Sequence, residues 1–438
     1  MKYSLAQSIC WILTFLALAL VPLGVGMAGS LPPGRDFGVE FGVMLGFLGL
    51  AVLSLQCVIS GRFNWFGAGF GFDNLLEFHK LIGIFALILV LAHPAMLIAA
   101  NPVFIAYFDP RENAPRAITL SLVTIGIVVL VATSLWRKFF KLSYEAWRAL
   151  HGVLTLGIIF FGLGHVVMVD HYGEPLWKKA AFVLFTGAAM YLVVHSRVVR
   201  PWLMKRKPYT IIEVREEPNN ATTLVLEPVG HPGMKHRAGQ FLWITLGKSP
   251  FSMQQHPYSI ASSPQNPKIE LTIKDLGDFS RSVRDLAPGT PAWLEGPYGC
   301  FYHDPGTAKG AVLVAGGVGI TPVMSILRAA RDRRDPQPYI LFFGNTAWTD
   351  VIFREEIEAM RAHMNLKVVH CLTAPPPDWP GEQGYITKDV MDRHLPNDIE
   401  NYAYFICGPR PLLDLVEQDL RARGVPAASI HTERFDMV

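Results

Sequence analysis

Two apolar stretches of membrane-spanning length each carry two histidines at the same interval, and this pattern restricts the possible folds more than any other feature of the chain. NLLEFHKLIGIFALILVLAHPAMLIAA, residues 74 to 100, holds His79 and His93, and YEAWRALHGVLTLGIIFFGLGHVVMVD, residues 144 to 170, holds His151 and His165. Both intervals are fourteen residues. That length of α-helix rises ~21 Å and returns to within ~40° of its starting face, so both rings of each helix leave one side at two depths. Two such helices side by side present two bis-histidine sites stacked along the membrane normal.

A single histidine in a membrane helix is commonly a packing hydrogen-bond donor. Packing needs no shared interval, however. Two haem irons that each take axial nitrogens from opposite faces do need two helices offering imidazoles at the same heights. A zinc site is the weaker alternative, because it would want carboxylates or thiolates nearby. His171 and His195 have no partner at this interval. His171, beside Asp170 and Tyr172, is either a solvated loop residue or part of an acceptor site. Arg148, one turn before His151, could pair with a haem propionate or anchor the helix at the interface.

The chain is 51% hydrophobic over 438 residues, and its mean hydropathy is +0.28. That is too apolar for an ordinary soluble protein. The excess lies in six runs of roughly 18 to 27 apolar residues, near 5–28, 37–60, 74–100, 116–136, 144–170 and 175–199. The first run also has features of a signal peptide, with Lys2 before it and Ala28, Gly29 and Ser30 after it. Its length and the spans that follow favour a membrane helix. Basic residues concentrate in the loops holding Arg62, Arg137, Lys138, Lys141 and Arg197 to Lys207, against Arg35, Arg111, Arg116, Lys178 and Lys179 on the other side. The richer side is expected to be cytoplasmic, which places both termini there and His79 and His151 near the inner face.

A net charge of +3 gives no reason to expect a nucleic-acid partner. The five cysteines include no CxxC pair, which speaks against zinc, iron–sulfur and disulfide frameworks.

HKLIGIFALILVLAHP and YEAWRALHGVLTLGIIFFGLGH resemble the ligand helices of the ferric reductase and NADPH oxidase superfamily, over residues 1 to about 204. The resemblance implies a membrane domain with two b-type haems, held by His79, His93, His151 and His165.

After VVRPWLMKRKP the chain turns to short alternating strands, so a domain boundary is expected near 204, with a second at 305. TIIEVREE, ATTLVLEP, GQFLWITLG, PYSIAS, KIELTIKD and PAWLEGPYG read as an antiparallel β-barrel over 205–305. Within it HPYS, residues 256 to 259, resembles the flavin-binding element of ferredoxin-NADP reductase-like domains. In this branch His256-Pro257 stands where arginine is common. By that resemblance Tyr258 packs on the flavin of FAD, and Ser259 hydrogen-bonds near the atom that receives hydride. IKDLGDFSRSVRDL resembles the family's pyrophosphate segment, with Lys274, Gly277, Phe279 and Ser280 as candidates. An ordinary turn with an N-cap serine is the competing reading of these residues.

From 306 to 438 strands and helices alternate, the pattern of an α/β parallel-sheet nucleotide-binding domain. GGVGITP, residues 316 to 322, joins a strand to a helix. It offers backbone N–H groups around Gly316, Gly317, Gly319, Thr321 and Pro322 to a pyrophosphate. It is not the GxGxxG fingerprint. In the family a segment like Cys407-Gly408-Pro409 faces it across the nicotinamide, with Cys407 beside the hydride-donating carbon. A buried structural thiol is the other reading of Cys407. HTERFDMV ends the chain, and Phe435 resembles the family aromatic that stacks on the flavin. Glu433 and Phe435 complete a candidate catalytic set with Ser259 and Cys407. FGNTAW lacks the arginine many relatives place there for a 2′-phosphate, leaving Arg328 and Arg354 as candidates. NADPH rather than NADH is expected on family grounds alone.

The resemblance thus implies a multidomain chain: an all-α six-helix bundle, an antiparallel FAD domain and an α/β nucleotide domain. It would carry electrons from NAD(P)H through FAD and two haems to an acceptor at the outer face. Dioxygen giving superoxide is the first expectation. A ferric-chelate or cupric reductase and an electron relay to an extracytoplasmic protein are the alternatives. No EF-hand loop precedes the membrane half, so regulation is expected to be absent or supplied by other chains.

Overall fold

The computed structural model describes residues 5–29, 32–63, 71–304 and 306–434. Phe435, Lys2 and Ser30 lie outside them. The chain divides into two compact units, one of residues 5–67 and 74–200 and one carrying residues 201–438.

The first unit is helical. Its members are α1 (Leu5–Met27), α2 (Phe37–Ser60), α3 (Phe72–Ala100), α4 (Pro110–Leu135), α5 (Tyr144–Met168) and α6 (Leu176–Val194), the last continuing through a π-turn and Arg200–Met204. Among the described residues six helices are long and apolar enough to cross a membrane. The protein is an integral membrane protein. The fourth helix starts at Pro110, six residues before the expected run, because Asp109 accepts from the Arg111 N–H and proline supplies a helix-compatible φ at the first position. The helix is kinked at Asn113.

Backbone polar groups within a bilayer must be satisfied internally. Ser54, Thr133 and Ser134 accordingly return their hydroxyls to carbonyls one turn back, at 2.8, 2.7 and 2.7 Å. Lys178 is fully buried and donates to the Gly26 carbonyl at 2.9 Å. The cation thereby meets the negative end of α1.

Four glycines of α2 face α3 in antiparallel order. A Cβ on Gly38 would meet Ala100 at 2.9 Å, on Gly42 Leu97 at 3.0 Å, on Gly46 the His93 ring at 2.8 Å, and on Gly49 Val90 at 3.1 Å. Small residues let the two backbones approach closely.

The second unit opens with a curled antiparallel sheet of β1 (Tyr209–Glu217), β2 (Ala221–Pro228), β3 (Phe241–Leu246), β4 (His256–Ser259), β5 (Ile269–Lys274) and β6 (Pro291–Tyr298). Their order is β4-β3-β6-β1-β2-β5, and a single antiparallel bridge from Ile260 to Leu271 joins the two edges. Ile211, Leu224, Leu242, Ile244 and Leu271 fill the concave side.

A parallel sheet follows, in the order β10-β9-β8-β7-β11-β12. Its strands are β7 (Gly310–Gly316), β8 (Tyr339–Asn345), β9 (Leu366–Leu372), β10 (Glu382–Gln383), β11 (Tyr402–Cys407) and β12 (Ile430–Glu433). Helices α7 (Ile320–Arg333) and α8 (Arg354–Arg361) cover the face that carries Leu313 and Phe343. Helices α9 (Lys388–His394) and α10 (Arg410–Ala422) lie on the opposite face with Val312 and Val314. The alternation along β7 is the two-residue period of a strand buried on both sides.

At the edge strand, Glu382 accepts from Arg393 Nε at 3.1 Å and contacts His394 Nε2 at 2.7 Å. The Arg393 guanidinium holds this carboxyl down at about 2, against a usual 4.5. A depressed folded-state value stabilises above the unfolded value and is lost as pH falls through the folded one. The stability deficit of Glu382→Gln relative to the unaltered protein is therefore expected at pH 6 and should shrink between about pH 4.5 and pH 2. Paired thermal melts across that range check it.

Candidate functional site

In the membrane unit the structure brings the four histidines together in the two expected pairs. The rings of His79 and His151 have centroids 6.2 Å apart at 57°. Those of His93 and His165 are 6.2 Å apart at 58°. Two imidazoles sharing one metal through ~2 Å bonds have centroids roughly 6 Å apart. Among the described residues no group of three or more His, Cys, Asp or Glu side chains could hold a bare ion. Each pair brings two imidazoles to metal-sharing distance.

The ring nitrogens facing away from the gaps are partly engaged. His93 Nδ1 lies 2.8 Å from the Gly42 carbonyl, an acceptor, so Nδ1 carries the proton and Nε2 keeps its lone pair. Gly46 leaves room for that ring. Ser134 Oγ is 3.1 Å from His151 Nδ1 and accepts from Trp147 Nε1 at 3.3 Å. Gln56 Nε2 donates to the His79 carbonyl at 3.1 Å. His79 Nδ1 is buried without a partner among the described residues. Arg148 is buried at 7% exposure one turn before His151. His171 packs edge-on to Tyr172 at 4.8 Å, and the Tyr172 hydroxyl donates to Glu40, which also accepts from Arg35 Nε at 3.2 Å. Among the described residues no imidazole faces His195; its ring lies near Phe63 and Tyr191.

The second unit builds its site from strand ends. Of HPYS on β4, His256 stacks on Phe279 at 3.7 Å, and Tyr258 lies parallel to the same ring at 6.4 Å. Ser259 alternates to the other side and is 3% exposed, and its Oγ has no partner among the described residues. A buried hydroxyl left unpaired is costly, and a ligand acceptor there would remove the cost. Lys274 ends β5 opposite Ala221. Gly277 is extended, and a Cβ there would meet nothing within 4 Å, so its backbone is open to approach. Ser280 Oγ accepts from the Leu276 and Gly277 N–H groups at 2.9 Å each. That is the turn geometry of the competing reading.

β7 and β11 are neighbours, and the connections run in opposite directions from them, so their carboxyl ends form a switch-point crevice. Gly316, Gly317 and Gly319 leave β7 there, with Gly317 at φ +53°, and lead into the first turn of α7 with Thr321 and Pro322. Cys407, Gly408 and Pro409 leave β11 against them. A Cβ on Gly408 would meet the Gly316 nitrogen at 3.0 Å, and one on Gly319 the Cys407 carbonyl oxygen at 2.3 Å. Cys407 is fully buried beside Phe405 and Ile320 in the core. Glu433 pairs in register with Cys407, and its Oε1 comes within 3.6 Å of a Cβ placed on Gly299.

Sequence reasoning missed Asn345. It ends β8 next to this crevice, 9% exposed, with both side-chain amide atoms lacking partners among the described residues. A polar amide closing the apolar strand YILFFGN was the available signal. Of the two arginines considered for a 2′-phosphate, Arg328 is buried between carboxylates. Arg354 lies over the Trp348 ring at 5.2 Å.

If the Ser259 hydroxyl serves the flavin, Ser259→Ala should retain FAD but slow flavin reduction at saturating nucleotide by ~10-fold, the value of one hydrogen bond of about 1.4 kcal/mol. Anaerobic stopped-flow absorbance measures it.

These features define a membrane protein with flavin and pyridine-nucleotide binding domains. A model for the ferric reductase like transmembrane component matches residues 45–162, one for an FAD-binding domain residues 218–301, and one for an oxidoreductase NAD-binding domain residues 313–418. Together the three matches give the chain the ferric reductase/NADPH oxidase-like fusion architecture, a ferric-reductase-like transmembrane domain followed by FAD-binding and NAD-binding domains. It is similar to NADH-cytochrome b5 reductase 1 of Debaryomyces hansenii, with 34% identity over 34% of this chain and 55% of that protein. It is similar to ferredoxin--NADP reductase B of Sorangium cellulosum, with 33% identity over 45% of this chain and 85% of that protein. The NADH-cytochrome b5 reductase-like protein alnC of Emericella nidulans is 32% identical over 64% of this chain and 66% of its own length. The chain thus spans about half the length of the first of these relatives.

Proposed function

We propose that the protein is a transmembrane flavocytochrome b oxidoreductase that moves electrons from cytoplasmic NAD(P)H to an acceptor at the outer face, dioxygen giving superoxide. The observation that carries this reading is the equality of the two histidine pairs, 6.2 Å in each case at 57° and 58°. Helix packing alone has no reason to repeat one ring geometry at two depths.

His79 and His151 would hold an inner b-type haem, and His93 and His165 an outer one. When bound, FAD supplies the conversion of a two-electron hydride into single electrons, and the haems supply one-electron carriers at two depths. The chain itself supplies placement. The Gly42 carbonyl fixes the His93 tautomer, and the Ser134 hydroxyl orients His151. The first turn of α7 and the glycines before it turn N–H groups toward a dinucleotide pyrophosphate. Ser259 offers its hydroxyl to the flavin, and Asn345 its amide to the nucleotide. Arg354, over the Trp348 ring in the segment after β8, is the candidate for reading a 2′-phosphate.

With both imidazoles of each pair engaged, the haems would supply electrons without binding the acceptor, which suits a small diffusible acceptor at the outer face. The test uses full-length protein in detergent, supplied with FAD and reduced anaerobically by NADPH or NADH before oxygen is admitted. Rapid reoxidation with superoxide-dismutase-sensitive product is the expected result. Reoxidation only by a ferric chelate, or only by an added extracytoplasmic protein, would overturn the oxidase reading.

A further inference from the structure

Helix α7 carries two buried polar side chains that reach out of the nucleotide domain. Ser325 is fully buried and Arg328 is 6% exposed. Three residues apart, they share one face of the helix. Ser325 Oγ donates to the Ser262 carbonyl at 2.7 Å, and Arg328 Nη1 to the Ala261 carbonyl at 3.0 Å. Those carbonyls belong to the chain that runs straight out of β4, two and three residues beyond Ser259.

The guanidinium is held on both sides of the domain boundary. Its Nη1 donates to Glu270 Oε2 of β5 at 3.0 Å. Its Nε and Nη2 donate to the two oxygens of Glu356 on α8 at 2.9 and 2.6 Å, a bidentate pair. The segment so gripped is itself fixed to the flavin domain, because the Ala261 N–H donates to the Glu270 carbonyl at 2.8 Å.

Buried ion pairs are poor adhesives. Desolvating three charges costs about what their attraction returns, and an apolar contact of equal volume would join the domains as well. What directional bonds add is register: they specify one depth and one angle. Helix α7 is the element whose first turn holds the end of GGVGITP, and Arg328 lies ~13 Å along it from Gly319. One rigid helix therefore faces the dinucleotide segment at one end and grips the continuation of the flavin strand further along.

We infer that Ser325 and Arg328 are positioning residues for hydride transfer, setting the register between the HPYS strand and the GGVGITP turn. This rests on the reading of those two segments as flavin and nucleotide sites. The reaction served breaks the C–H bond at nicotinamide C4 and forms N–H at flavin N5, oxidising the nucleotide by two electrons and reducing the flavin by two. Such a transfer is steeply sensitive to distance, since a 1 Å misplacement can cost ~100-fold.

The experiment is anaerobic stopped-flow reduction of full-length, FAD-loaded protein by NADPH and NADH, with the unaltered chain beside Ser325→Ala/Arg328→Lys. The double variant should keep its FAD content, and the nucleotide concentration for half-maximal rate should stay within about twofold. Its limiting rate of flavin reduction should fall at least ~10-fold, with a larger isotope effect from C4-deuterated nucleotide. Equal limiting rates overturn the inference, as does a change confined to half-saturation, FAD content or melting temperature. If the double variant does not fold, Arg328→Met/Glu270→Gln/Glu356→Gln, which leaves no buried charge unpaired, carries the same measurement and criteria. If neither nucleotide reduces the flavin of the unaltered chain, the functional reading fails first, and that result is distinct from equal rates.

Discussion

Replacing His93 or His165 by alanine is expected to halve the haem content of the purified protein and to reduce electron delivery to any outer acceptor to background. NAD(P)H should still reduce the flavin in these variants. The expectation follows from the separation of the two pairs, since the rings of the outer pair face each other. His93 is the ring that Gly46 leaves room for and that the Gly42 carbonyl binds, while Gly38, Gly42 and Gly49 face Ala100, Leu97 and Val90, so shortening it leaves the other three glycine contacts of α2 with α3 in place. His195→Ala is the control. That ring lies near Phe63 and Tyr191, and among the described residues no imidazole faces it, so haem content should not change. Haem absorbance per chain, with flavin reduction recorded on the same samples, tests both halves. A His93→Ala protein with a full haem complement would remove this histidine from the ligand set.

Gly319→Ala should abolish reduction of the flavin by nucleotide. The added Cβ would sit 2.3 Å from the Cys407 carbonyl oxygen, 2.6 Å from its carbon and 2.9 Å from the Gly408 nitrogen. All three are backbone atoms, so no side chain can turn aside. The turn after β7 and the turn after β11 must part, at a cost of about 1–3 kcal/mol typical of overpacking. The membrane helices belong to the other compact unit and should be untouched. Haem content is therefore expected to be unchanged while flavin reduction is lost, the reverse of the His93 result. Gly316 tolerates no Cβ either, but its nearest contacts are Pro409 and Leu412 side-chain atoms, at 2.8 and 3.1 Å, so alanine there should be milder.

The parts of this architecture that could be read in the sequence are those written in local periodicity. Fourteen-residue spacing placed His79, His93, His151 and His165 on two helix faces, and the structure pairs them. The strand-to-turn signals of GGVGITP and Cys407-Gly408-Pro409 likewise meet at the switch point of the parallel sheet. Contacts between distant segments were not legible. The glycines at 38, 42, 46 and 49 carried a usable signal, a small residue once per turn, but its meaning depends on which helix lies opposite. Nothing local to Arg328 indicates that its partners are Glu270 and Glu356, so in the sequence it stood only as one of two candidate phosphate ligands. Asn345 closes an apolar strand, and only the strand order shows that this strand ends beside the crevice. Ser280 shows the opposite case, where the ordinary turn reading describes its present hydrogen bonds.

The most direct test of the central claim is quantitative haem analysis of the full-length protein, with anaerobic NADPH or NADH reduction followed in the Soret and α bands. Two b-type haems per chain, with low-spin bis-imidazole spectra and reduction that depends on added FAD, are the predicted result. A protein that binds no haem, or whose haem is not reduced through the flavin, would contradict the account.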